Sequence, residues 1–162
     1  MYIKDKLNEF EADWAAMPTV EKDKLAQLKN KTILICGHEI ARCLCYALLY
    51  LNETQKLRIN VILAGENNEA LADYNSEFLL RNDFDFVAFN SLSEIKSVDY
   101  IIHTSICGEN SKCAAELFSK EINAVKAISK VAVKSSAKVV LLSDSRVYGN
   151  GKNHRIYAEN EY

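Results

Sequence analysis

From residue 31 onward, hydrophobic positions fall into short unbroken runs rich in β-branched residues, separated by longer stretches in which they recur every three or four positions. Unbroken apolar runs of four or five residues mark strands buried on both faces, as in a parallel sheet, and the longer periodic stretches mark its crossover helices. The pattern predicts five strands, at Thr32–Cys36, Asn60–Leu63, Asp85–Phe89, Tyr100–His103 and Val139–Leu142. It predicts helices over Ile40–Asn52, with Ile40, Leu44, Leu48 and Leu51 on one face, over Glu69–Arg81, and over Lys112–Ser135. The loop after Phe89 is polar and short, and Leu92–Lys96 is expected to form a helical turn. Strand and helix in alternation with right-handed crossovers give an α/β fold: a three-layer, Rossmann-like, doubly wound parallel sheet of about five strands.

Ahead of this pattern, residues 1–30 read as a polar helical arm, in which Ile3, Leu7, Phe10 and Trp14 form one apolar stripe. Pro18 splits it, because proline lacks the N–H and crowds the preceding turn; the second piece runs from about Thr19 to Asn30. Such an arm either packs on its own domain or embraces a second subunit, making a homo-oligomer. Residues 31–150 then form the sheet domain and 151–162 a polar tail.

Composition adds mainly exclusions. With 49% hydrophobic residues and a net charge of −2, the chain can bury enough apolar surface to offset its ordering entropy. Twenty basic residues against 22 acidic ones argue against a nucleic-acid surface. The apolar runs are too short to span a bilayer, and the start Met1-Tyr2-Ile3-Lys4-Asp5-Lys6 lacks a signal-peptide core, so neither a membrane partner nor export is expected, and the location expected is cytoplasmic. The five cysteines include no C-x-x-C pair and read as reduced, buried residues, with only Cys107 and Cys113 in polar surroundings. His38, His103 and His154 stand at no ligand spacing from these thiols, and no metal site is expected.

In doubly wound sheets, ligands sit beyond the C-terminal strand ends. That rule nominates Gly37, Gly65–Glu66, Asn90, Thr104–Ser105 and Ser143–Ser145.

The stretches Lys31-Thr-Ile-Leu-Ile-Cys-Gly37, Asp99-Tyr-Ile-Ile-His-Thr-Ser105, Asn123 and Leu141-Leu-Ser-Asp-Ser-Arg-Val-Tyr-Gly149 occur in an order and spacing hard to produce by chance. Together they resemble the nucleotide-binding half of the extended short-chain dehydrogenase/reductases, the NAD-dependent nucleotide-sugar epimerases and dehydratases. The resemblance covers about residues 31–149. It implies NAD or NADP as cofactor, a nucleotide sugar as ligand, and a cofactor surface of Gly37, Ala41, Glu66, Asn90, Thr104, Ser105, Asn123 and Ser143. Gly37 matches the first glycine of the family's phosphate turn and Ala41 its third. Asn90 stands where the family has an Asp that contacts the adenine amino group, a bond an amide oxygen also accepts. Asn123 matches a helix Asn that braces the sheet near the site. Glu66 is placed to accept from the adenosine ribose or else is a solvated loop acid. Thr104 and Ser105 line the cofactor face or else serve nearby backbone.

The chain departs from the family where the chemistry would occur. The middle glycine is missing from Gly37-His38-Glu39-Ile40-Ala41, and Glu39 brings a carboxylate to the electropositive helix N-terminus that would otherwise hold a pyrophosphate. Dinucleotide affinity is therefore expected to be weak or lost. The family's catalytic hydroxyl aligns with Asp144, leaving Ser143 and Ser145 as the nearest substitutes, and Ser145-Arg146 stands where dehydratases carry an acid pair. A literal Tyr-x-x-x-Lys at Tyr148–Lys152 contains Gly149 and Gly151, which oppose the helix that would put both side chains on one face.

Two functional classes follow. One is the cofactor domain of an epimerase/dehydratase-like protein, catalytically incomplete in these residues. The other is a degenerate domain that serves as an interaction or dimerisation partner, docking through Tyr2–Trp14. A flavodoxin-like or response-regulator domain shares the sheet, but no acid cluster follows the first strand.

Overall fold

The computed structural model describes residues 3–37, 39–65, 78, 80–104 and 114–142. Among them lie helix α1 (Ile3–Ala16), α2 (Thr19–Ala26), strand β1 (Thr32–Cys36), α3 (Glu39–Gln55), β2 (Asn60–Gly65), β3 (Phe84–Ala88), a 3₁₀ segment (Phe89–Glu94), β4 (Tyr100–His103), α4 (Ala114–Ser135) and β5 (Lys138–Leu141). The five strands form one all-parallel sheet in the order β3-β2-β1-β4-β5. The expected Rossmann-like doubly wound architecture is therefore present.

Central β1 shows why the apolar run is unbroken. Ile33 and Ile35 enter a core shared with α3, Leu49, Phe78 and Phe84, while Leu34 and Cys36 enter a second core with Leu92, Ile101, Ile128 and Val131. Successive side chains point to opposite faces, and both faces are covered, so every position must be apolar. Each fully buried aliphatic side chain contributes about 1.5–3 kcal/mol relative to exposure. The connection after β1 runs along the first face through α3, and the one after β4 runs along the second face through α4.

Pro18 stands between the two N-terminal helices, its carbonyl accepting from the N–H groups of Glu21 and Lys22. Phe10 and Trp14 pack against the α3 core, with Leu25 and Leu28 beside them.

Several local expectations change. Of the face expected on α3, Leu48 and Leu51 are buried in the core, whereas Ile40 is 52% exposed and Leu44 only partly buried; Ala41, Cys45 and Leu49 are fully buried beside them. The buried surface is broader than the expected stripe because α3 is covered on two sides, by the sheet and by α1, and two overlapping apolar faces blur the phase in sequence. Cys43 falls on the remaining side and is exposed, while Cys36 and Cys45 are buried. Phe89 leaves the sheet to open the 3₁₀ segment, which covers the second core with Leu92 and ends at Glu94, earlier than the expected Lys96. At the sheet edge, β5 begins at Lys138 and is exposed along its length; Val139, Val140 and Leu141 retain 42%, 51% and 58% of their surface. Among the described residues it pairs with β4 alone, and its apolar run is exposed where the pattern predicts a doubly covered strand. The helix expected over Glu69–Arg81 lies largely outside the described residues.

Candidate functional site

The β1/β4 boundary is the switch point of the sheet, where chain connections leave toward opposite faces; in doubly wound sheets the ligand crevice lies beyond the strand ends at this point. Gly37 follows β1 directly and is buried, with φ 141°, a backbone region that L side chains rarely adopt. One turn into α3, Ala41 is fully buried. A small side chain here lets the helix approach the sheet closely, the function of the third glycine in phosphate-binding turns.

Thr104 ends β4. Its backbone N–H donates to the Cys36 carbonyl at 2.8 Å, and its hydroxyl donates to the same oxygen at 3.2 Å. The hydroxyl thus serves nearby backbone, one of its two expected roles, and ties together the strand ends that border the crevice.

Asn90 and Asn123, 33 positions apart in sequence, come together on one groove of about 450 Å³ between the 3₁₀ segment and α4. Both are exposed. Asn123 does not brace the sheet as a family helix Asn would, because the sheet-facing positions of α4 belong to Ala124, Ile128 and Val131. Glu66, Ser105, Ser143, Asp144, Ser145, Arg146, Tyr148 and Lys152 lie outside the described residues, as does the side chain of Glu39.

Sequence reasoning considered His103 only as a metal ligand. It is the one buried polar or charged side chain of the described core, 4% exposed, and its Nε2 meets Glu121 Oε1 at 2.5 Å. An ionised carboxylate only accepts, so Nε2–H is the donor of this pair. Nδ1 is buried with no hydrogen-bond partner among the described residues. This buried histidine–carboxylate pair lies one residue before Thr104, at the C-terminal end of β4. Its sequence signal was weak: a histidine closing an apolar strand, with its acid 18 residues away in the next helix.

The nearby thiols are unsuited to nucleophilic chemistry. Burial pushes the Cys36 thiol up to about 12, and burial with neighbouring Cys43 pushes Cys45 up to about 12, so neither forms thiolate near neutrality. Among the described residues no group of three His, Cys, Asp or Glu side chains could hold a metal ion, and no helix is long and apolar enough to cross a membrane.

These features define an α/β protein with a doubly wound parallel sheet and a positive-φ glycine beside its switch point. No protein-family model and no curated protein matches the chain.

Proposed function

We propose that this chain is a nucleotide-binding domain of the kind found in NAD-dependent epimerases and dehydratases acting on nucleotide sugars, and that it holds NAD or NADP across the ends of β1 and β4 without carrying out hydride transfer itself. The observation that carries the reading is the positive φ of Gly37 at the switch point, the glycine-favouring conformation of a tight strand-to-helix turn such as opens a dinucleotide site. Buried Ala41 and the Thr104–Cys36 bonds support it by fixing helix and strand ends around that point. Asp144 in place of the catalytic hydroxyl, and the glycines within Tyr148–Lys152, support the absence of chemistry.

Calorimetric titration with NAD, NADP and a nucleotide sugar tests the proposal. Weak saturable binding of a dinucleotide, lost in Gly37→Val, is the expected result. Absence of saturation by any of them at millimolar concentration overturns it.

A second reading, a non-catalytic domain that pairs with a second copy, is favoured by the exposed apolar edge of β5. Its outer backbone edge, unpaired among the described residues, and half-exposed Val139, Val140 and Leu141 are what a strand from another copy would cover. Phe10 and Trp14 are already packed against the core, which moves the docking face from the arm to this edge. Light scattering across a concentration series, with Val140→Lys as a variant, separates the two: a dimer that the variant dissociates supports the second reading, and a monomer throughout refutes it.

A further inference from the structure

The groove between the 3₁₀ segment and α4 carries a row of basic side chains. Lys126, Lys130 and Lys134 line it at intervals of four, placing three ammonium groups on one side of the helix, and no acidic residue lines it among those described. Lys134 is engaged: its Nζ donates to the carbonyls of Ile95 at 2.9 Å and Ser93 at 3.3 Å, clasping α4 to the opposite wall and setting the width of the groove. Lys126, Lys130, Asn90 and Asn123 have no hydrogen-bond or ion-pair partner among the described residues.

Two ordinary explanations for such a row fall short. Lysines favour helix C-termini because of the macrodipole, but that effect fades beyond the last turn, and Lys126 sits nine residues before the end of α4 at Ser135. Exposed lysines are commonly interleaved with acids at i±4, yet Lys126 and Lys130 repel one another, and the acids of α4, Glu116 and Glu121, both lie in its first eight residues. The chain as a whole carries −2, so the basic character belongs to this groove and not to a uniformly cationic surface.

We infer that the groove binds a nucleoside polyphosphate, with its phosphates over Lys126 and Lys130 and its base toward Asn90 and Asn123. Successive lysines four apart stand about 6 Å along the helix axis, a span that a di- or triphosphate chain can bridge. Ammonium groups supply charge-assisted donors to phosphate oxygens, and the two amides present both donors and acceptors to the edge of a base. A volume of about 450 Å³ falls within the range of small-molecule sites. The inference shares Asn90 and Asn123 with the dinucleotide reading, but its lysines lie outside the strand-end crevice, so it stands whether or not that crevice binds NAD.

Titrations with tripolyphosphate, ATP and NAD at low salt test it on the wild type, on Lys126→Glu/Lys130→Glu, on Gly37→Val, and on Lys29→Glu/Lys96→Glu, which makes the same charge change elsewhere. Tripolyphosphate and ATP are expected to bind saturably, with ATP tighter. Both should weaken at least tenfold in the groove variant and keep their affinity in the other two. Failure of tripolyphosphate and ATP to saturate overturns the inference, as does an equal loss in the Lys29/Lys96 variant. ATP no tighter than tripolyphosphate overturns the placement of the base. NAD binding lost in Gly37→Val but kept in the groove variant belongs to the crevice, so the two readings fail separately.

Discussion

Replacing Asn52 with leucine tests how the sheet edge opposite the crevice is held. Asn52 lies near the end of α3, and its amide imitates a neighbouring strand: Oδ1 accepts from the Ile59 N–H at 2.7 Å, while Nδ2 donates to the Ile59 carbonyl at 2.7 Å and to Asp83 Oδ2 at 2.8 Å. Ile59 is fully buried and precedes β2, where the sheet ladder does not yet serve it. Leucine has a similar volume but leaves both Ile59 backbone groups without this partner. Leaving a buried donor or acceptor unsatisfied costs about 1–3 kcal/mol, so two give about 2–6 kcal/mol, and the apolar packing that leucine adds returns about 1 kcal/mol. A net loss of about 3 kcal/mol is expected, a large share of the roughly 5–15 kcal/mol by which domains are stable. Urea unfolding followed by circular dichroism should show a lowered midpoint with an unchanged slope, and the melting temperature should fall by about 6–12 °C. Below the transition, nucleotide affinity should not change, because the crevice lies at the other end of the strands. A loss under about 1 kcal/mol would refute the claim that the Asn52 amide substitutes for a strand partner.

Glu39→Gln is expected to tighten dinucleotide binding about two- to fivefold, because a carboxylate in the first turn of α3 is worth about 0.3–1 kcal/mol to the helix end and opposes phosphate by a similar amount; calorimetry reads the change. Acid should unfold the protein partly through two carboxylates. Burial raises the Asp83 carboxyl, but hydrogen bonds from Arg81 and Asn52 outweigh it, and the Asp99 carboxyl is lowered by the Thr32 N–H and by Lys31, so both lie below 3.8 in the folded state. Their stabilisation is fully present above the unfolded value of 3.8 and is lost as pH falls through the lower folded values, so Asp99→Asn should show a shallower loss of stability between about pH 5 and pH 2 in urea titrations. Peptide mapping after brief alkylation at neutral pH should find Cys43 modified and Cys36 and Cys45 protected until urea unfolds the chain.

The sheet was legible because its requirement is local. A strand covered on both faces needs an uninterrupted apolar run, and Thr32–Cys36 and Tyr100–His103 fall where the pattern predicts them. Pro18 likewise marks a break by its own covalent geometry. The phase of α3 was not legible, because two partners claim overlapping sides of one helix. Neither were the positive φ values of Lys56 and Ser136, which follow the ends of α3 and α4 where no glycine announces a left-handed residue.

Sequence by itself therefore determined the kind and order of the elements and placed Gly37 at the end of a strand, since backbone sterics and side-chain alternation act over a few residues. Only the tertiary structure brought Asn90 to Asn123, His103 to Glu121, and Lys134 to the carbonyls of Ser93 and Ile95. It also placed β5 at the edge of the described sheet, with its apolar side chains exposed. Those pairings depend on which helix crosses which face, and the distance between partners along the chain carries no record of that choice.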